Sequence, residues 1–300
     1  MLILVLLVVL LVRIVPGNVI DAAVGDQGAI SARDRAAIEH ELGLDESVVQ
    51  QYVSYLGNLA RGSLGKSLWS RESVLAVVGP RLRPTMELAL MSLVLALVVS
   101  IPLGVWAAVK ANSFTDYVLR VFAVMGLSVP SFVVATYVML LPVIWWGWFI
   151  PPYQGTFVGL FDHYRSLMIP AAILAFELSA GLTRLTRTCV LESLRQDYVR
   201  TARAKGLRES VVLIRHVVRN SLIPVVSVIG LQLVALFSGV VIIEQIFGIP
   251  GVGQLIITAF QSRDYTLIQG VTVLLGLFAI LVNIVADVSY IWLNPRIRLA

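Results

Sequence analysis

Of the 300 residues, 58% are hydrophobic and 14% charged, and the mean hydropathy is +0.88. Soluble domains carry about 25% charged and about 45–50% apolar residues, so a soluble core cannot absorb the surplus, whereas a bilayer can because lipid is itself apolar. The net charge of +5 does not indicate a nucleic-acid binder, since the basic residues fall between apolar runs, where membrane orientation places them.

The apolar runs are too long for buried strands and lack barrel-type alternation, so they read as helices. The expected architecture is an all-α polytopic membrane protein with about six spans of ~20 residues. Residues 1–16 form the first, stopped by Pro16-Gly17. Fifteen helical residues cover only about 22 Å of a hydrocarbon core of about 30 Å. A span that has lost its first turns fits better than a signal peptide, because no basic region precedes the run and no A-x-A site follows it.

Residues 17–83 form a polar loop of near-balanced charge, with short surface helices expected over Ser31 to Leu42. The remainder, 84–300, carries the other five spans. They are expected over Pro84–Ala111, Tyr117–Trp146 (with Pro130 inside it), Leu167–Arg187, Leu222–Phe247 and Leu267–Leu293. Trp145, Trp146, Trp148 and Phe149 make an interfacial aromatic belt after the third. Gly248 to Phe260, between the last two, has the pattern of a re-entrant or interfacial scoop.

Lys and Arg set the orientation. The stretch 184–220 carries nine of them against three acids, and short loops with such an excess stay cytoplasmic. The 17–83 segment exceeds the length, roughly 60 residues, beyond which loop charge stops controlling translocation. Both termini are therefore expected inside and the long loop outside.

Chemistry is sparse. Gly62-Ser-Leu-Gly-Lys-Ser67 resembles the end of a phosphate-binding loop, but the required first glycine falls at Ala60 and no strand precedes it, so it reads as a decoy. No Ser/His/Asp set or carboxylate cluster converges, and neither a catalytic residue nor a metal ligand is assigned. The single cysteine, Cys189, excludes an intrachain disulfide. His40, His163 and His216 are scattered, as surface or loop histidines are.

The informative region is the basic loop, 188–221. Asp197 can N-cap a helix from Tyr198, and Gly206 can close it with a left-handed residue. About eight residues, or about 12 Å, are too few to persist alone in water, so the helix must dock on something. Its face of Thr201, Ala202 and Ala204 is small enough for another protein to approach. After it, Arg208, Arg215 and Arg219 share one face and Val211, Ile214, Val217 and Val218 the other, as in a helix at the lipid headgroups. A plain positive-inside loop without a partner remains the competing reading.

Charges within spans default to a functional hypothesis. Glu87 and Glu244 lie near outer ends and can reach the interface, and Asp287 near an inner end suits structural pairing. Glu177 lies near mid-span, where facing lipid costs roughly 2.5 kcal/mol or more, so it should face the bundle interior. Contact with a cationic solute and a buried hydrogen bond within the subunit are both open.

Thr201-Ala-Arg-Ala-Lys-Gly206 followed by Arg215-His-Val-Val-Arg-Asn-Ser-Leu-Ile-Pro224 resembles the cytoplasmic "EAA" loop of binding-protein-dependent ABC importers, specifically the first permease type of the dipeptide/oligopeptide/nickel family. Arg13-Ile-Val-Pro-Gly-Asn18, Glu41-Leu-Gly-Leu-Asp45, Arg81-Leu-Arg-Pro-Thr85, Glu244 to Gly253, Arg263-Asp-Tyr265 and Asn294-Pro-Arg-Ile-Arg298 extend the likeness over almost the whole chain. Asn18 stands where that family usually has aspartate.

The resemblance implies that Tyr198, Thr201, Ala202, Arg203, Ala204, Lys205, Gly206 and Leu207 form a coupling helix between the fourth and fifth spans, seated in a groove of a cytoplasmic ATPase. It implies a multi-pass subunit of a bacterial inner membrane, partnered by a second homologous permease, two ABC ATPases and an external solute-binding protein. No cofactor is expected on this chain, with ATP and Mg held by the ATPases. Peptides or similar small solutes are the expected cargo. A stand-alone secondary transporter or channel is the rival class; it calls for repeats or paired broken helices and no docking helix.

Overall fold

Long apolar runs without an internal polar break propagate as helix, and the computed structural model, whose described residues are 1–14, 45–155 and 159–293, consists of helices joined by turns and short irregular segments, with one isolated bridge between Lys66 and Ser73. The helices are α1 (Leu2–Ile14), α2 (Val48–Ala60), α3 (Val74–Val109), α4 (Phe114–Ser128), α5 (Ser131–Trp146), α6 (Leu160–Leu194), α7 (Asp197–Ala204), α8 (Glu209–Phe247), α9 (Val252–Gln261) and α10 (Tyr265–Leu293). The expected helices in Ser31 to Leu42 and the motifs around Asn18, Glu41 and Asn294 lie outside the described residues, as does the side chain of Asp287.

Among the described residues, α3, α6, α8 and α10 are long and apolar enough to cross a membrane. The chain is an all-α polytopic membrane protein. On α3, Leu90, Val94 and Val98 are 52%, 56% and 65% exposed at four-residue spacing, a stripe that water would penalise and lipid accepts. Trp145, Trp146, Trp148 and Phe149 are likewise exposed, as a belt requires. Helix α1 has 13 described residues, about 20 Å of rise, short of a full crossing.

The expected third span is corrected. It is two helices, α4 and α5, bent by 93°. Val129 precedes proline and is extended at φ −100°, ψ 115°, the conformation that the ring of Pro130 forces on its neighbour. The flanking spans are longer than expected, because polar ends continue the helix beyond the apolar part. Helix α3 starts at Val74 rather than Pro84, and α6 at Leu160 rather than Leu167.

The chain forms two compact units. One comprises Met1–Thr85 and Pro250–Ile280. Its core joins Val5 and Val9 of α1, Val74 and Val78 of α3, Val252 and Leu255 of α9, and Ile268 and Val271 of α10. Asp264, 1% exposed, accepts bonds from Ser67 Oγ and from the amides of Leu68 and Leu267. Trp69 Nε1 donates to the carbonyl of Ser262 at 2.7 Å. The phosphate-loop lookalike is therefore a structural turn. Helix α2 rather than a strand precedes it, and its Ser67 is committed to Asp264.

The second unit, Met86–Ile249 with Leu281–Ala300, is built around α6. Gly126 on α4 faces Ala180 on α6, and a Cβ there would sit 2.7 Å from the alanine methyl. The bare glycine lets the two helices approach closely, as small residues do within membranes.

Candidate functional site

Helix α6 ends in two tight turns, where the amides of Arg195 and Gln196 donate to the carbonyls of Glu192 and Ser193. The chain then restarts as α7. Gln196 is the extended N-cap, at φ −74° and ψ 149°, and it makes no side-chain cap. Asp197 is thus the first helical residue rather than the cap. Its charge still complements the positive end of the helix, and that of Arg203, in the last turn, complements the negative end.

The far end is closed as expected. Gly206 has φ +77°, its amide donates to Arg203 O at 2.9 Å, and that of Leu207 donates to Ala202 O at 3.4 Å. This pair of bonds is a Schellman closure, which needs a left-handed residue between them. Arg203 adds a two-point bond across the turn to Glu209, with Nη2–Oε1 at 2.6 Å and Nε–Oε2 at 3.1 Å.

What holds so short a helix is its inner face. Val199 and Ala202 are 0% and 5% exposed and pack with Ala108 of α3, Val190 of α6, and Val212 and Val217 of α8. Ala202 therefore points into the chain's own core and not, as expected, outward beside Thr201 and Ala204. Tyr198, Thr201, Arg203, Ala204, Lys205, Gly206 and Leu207 are exposed.

The segment beneath α7 corrects the expected amphipathic face. Val212–Val218 is wound as a π-helix, in which residues five apart stack. Val212 and Val217, five apart, are both fully buried, whereas Ile214 is 68% exposed. The wider winding rotates the apolar face away from the positions an α-helical period assigns.

Glu177 is the middle residue of α6, with 17 helical residues on either side. It is exposed rather than enclosed in the bundle. It lines a cleft of about 120 Å³ with Leu127 of α4, Leu174 and Gly181 of its own helix, and Gln232 and Ala235 of α8.

Three other polar positions depart from expectation. His163 is fully buried, not a surface histidine. Its Nε2 lies 2.7 Å from Glu87 Oε2 and its Nδ1 2.8 Å from Gln154 O. Both ring nitrogens of His163 are thus engaged by oxygen atoms. Glu87 is thereby committed and does not reach for the interface. Glu244 is also fully buried, because α8 continues past it to Phe247 and the turn at Gly248 folds Ile249 back onto its carbonyl. Asp116, wholly buried, receives two bonds from Arg187. This pair spans 71 residues of sequence and carries no local signal.

Residues 100–299 match the family described as binding-protein-dependent transport system inner membrane component. The chain is 37% identical to the di/tripeptide transport system permease protein DppB of Pseudomonas aeruginosa, over 98% of this chain and 93% of that protein. It is 38% identical to the oligopeptide transport system permease protein AppB of Bacillus subtilis, over 90% and 86%. It is 36% identical to the dipeptide transport system permease protein DppB of Escherichia coli, over 96% and 91%. Among solved structures, a chain of the inward-facing MetNI methionine ABC transporter aligns with a TM-score of 0.58 at 14% identity, covering 73% of this chain and 97% of that one.

Proposed function

We infer the function from one premise: this chain belongs to the family of binding-protein-dependent transport system inner membrane components. It is a membrane-spanning permease subunit of an ABC importer, working with ATPase and solute-binding partners. Its cargo is di-, tri- or oligopeptides, the class in the names of its relatives.

The finer assembly extends that premise. A second, homologous permease completes the passage, two ABC ATPases hold ATP and Mg, and an external protein delivers the solute. Both termini lie in the cytoplasm, with the basic loop.

The observation that supports coupling is the two-sided character of α7. Val199 and Ala202 fasten it to α3, α6 and α8, while Tyr198, Thr201, Ala204 and Lys205 stay exposed. A short helix fixed on one side and bare on the other transmits a rigid push. Closure of the ATPases on ATP moves α7, and the spans change the side from which the passage is open. The chain's own task is to bind, orient and pass the solute; hydrolysis belongs to the partners.

The test is reconstitution of the full complex in liposomes. ATP-dependent uptake of a di- or tripeptide should require this chain. Uptake that persists without the ATPases would instead mark a stand-alone transporter.

A further inference from the structure

A carboxylate at mid-depth of a spanning helix cannot face lipid without a large penalty. Glu177 nonetheless is exposed on this chain, and among the described residues no hydrogen bond or ion pair reaches it. Between Ile169 and Thr183 on α6, Ala172 and Glu177 are the exposed positions, and all others are buried or half-buried. Glu177 is thus the one charged residue of this stretch, and it is exposed.

Its surroundings are built to admit a small group. Gly181 lies one turn along α6 from Glu177, on the same face, and a Cβ there would lie 3.7 Å from Gln232 Nε2 and 3.9 Å from Leu127 Cδ2. The Gln232 amide therefore lies against the α6 backbone at Gly181, one turn from the carboxylate. Gln232 likewise has no hydrogen-bond partner among the described residues. Leu127, Leu174 and Leu236 supply apolar walls, and Ala235 and Gly239 keep the α8 side low. The cleft of about 120 Å³ suits an aminoalkyl group, and not a whole peptide.

We propose that Glu177 and Gln232 form a recognition site for the primary ammonium group of a solute in transit. The carboxylate accepts from the ammonium and the Gln232 carbonyl accepts a second of its three protons. The leucine walls take the first aliphatic carbons. This deepens the permease reading and rests on it. The site holds the charged end of the cargo at mid-membrane, where water is scarcest.

The experiment uses the complete complex in proteoliposomes with trialanine and propionyl-dialanine, which differ only in the ammonium group. Each is supplied at a concentration that saturates the solute-binding protein, checked by calorimetry. Loss of one charge-assisted hydrogen bond predicts that Glu177→Gln lowers trialanine uptake about tenfold while leaving propionyl-dialanine uptake within about twofold. Glu177→Asp, which keeps the charge, should restore the preference.

A second readout is independent of the binding protein. Carbodiimide modification of Glu177 in the purified membrane complex, followed by mass spectrometry, should be suppressed by trialanine and unaffected by propionyl-dialanine. Equal loss of both solutes in Glu177→Gln, or equal protection by both, would overturn the ammonium site and leave the transport reading standing. Loss of the second permease from the purified Glu177→Gln complex would assign the carboxylate to subunit pairing and likewise overturn the site. Failure of the wild-type complex to import trialanine would overturn the transport reading, and this site with it.

Discussion

Arg187 donates Nε and Nη2 to the two carboxylate oxygens of Asp116, at 2.7 and 2.8 Å, and so ties the first turn of α4 to the last third of α6. The Asn112 amide adds a third bond at 2.9 Å, and Arg120 stands 3.6 Å away. Asp116 is wholly buried and Arg187 mostly so. Removing the arginine leaves a desolvated carboxylate, which costs roughly 3 kcal/mol. Arg187→Ala should lower the thermal unfolding midpoint in detergent markedly. Adding Asp116→Leu to it should recover much of the loss, because the buried charge is then removed and Arg120, half-exposed, can turn to solvent. A midpoint unchanged in Arg187→Ala would show that the pair contributes nothing net.

The Schellman closure predicts a local effect at Gly206. Its φ of +77° is accessible to a β-branched residue only at a cost on the order of 1 kcal/mol or more. No atom lies within 4 Å of a Cβ built there, so the cost is conformational and not a clash. Gly206→Val should unwind or tilt the end of α7 without harming the spans. Ala204→Trp should obstruct its outer face directly. Both should reduce ATPase retention in pull-downs and solute-driven hydrolysis, with peptide binding by the external protein intact. Wild-type values in both assays for both variants would leave α7 without a partner.

The two faces of α7 can be separated. Val199→Asp places a charge in the cluster with Val190, Val212 and Val217, an uncompensated burial. It should free α7 and raise proteolytic cleavage between Arg195 and Arg208. Thr201→Asp lies on the outer face, so it should leave the proteolytic pattern unchanged while weakening ATPase retention. Identical patterns for both variants would contradict the two-sided packing.

Replacing Glu87 distinguishes a structural histidine from a free one. Glu87→Gln keeps a hydrogen-bonding group near Nε2 of His163, so stability should change little. Glu87→Leu leaves that nitrogen buried without its partner, at a cost of roughly 1–3 kcal/mol. Thermal unfolding of the two variants should therefore differ clearly, and equal midpoints would mean that the 2.7 Å contact is not maintained.

Topology is best tested away from Cys189, which is only 8% exposed and a poor reporter. In a Cys189→Ser background, Lys205→Cys places a thiol on the exposed side of α7. A membrane-permeant maleimide should label it in intact cells and an impermeant one should not. Labelling by the impermeant reagent would reverse the assigned orientation.

The architecture was legible without coordinates wherever the determinant is local. Membrane class follows from composition, since apolar surface needs an apolar solvent whatever the packing. Glycine after a short polar helix announced the closure at Gly206, because a left-handed turn depends on one residue's own sterics. What remained hidden depends on atoms distant in sequence or on winding. Pro130 was expected inside one continuous span, whereas the chain breaks there into α4 and α5, bent by 93°. The π-wound stretch moved Ile214 outward and Val212 inward, a shift invisible to a count made at the α-helical period. The pairs Asp116–Arg187 and Glu87–His163 join residues 71 and 76 positions apart. Only tertiary packing brings such polar groups together, because each alone would be too costly to bury.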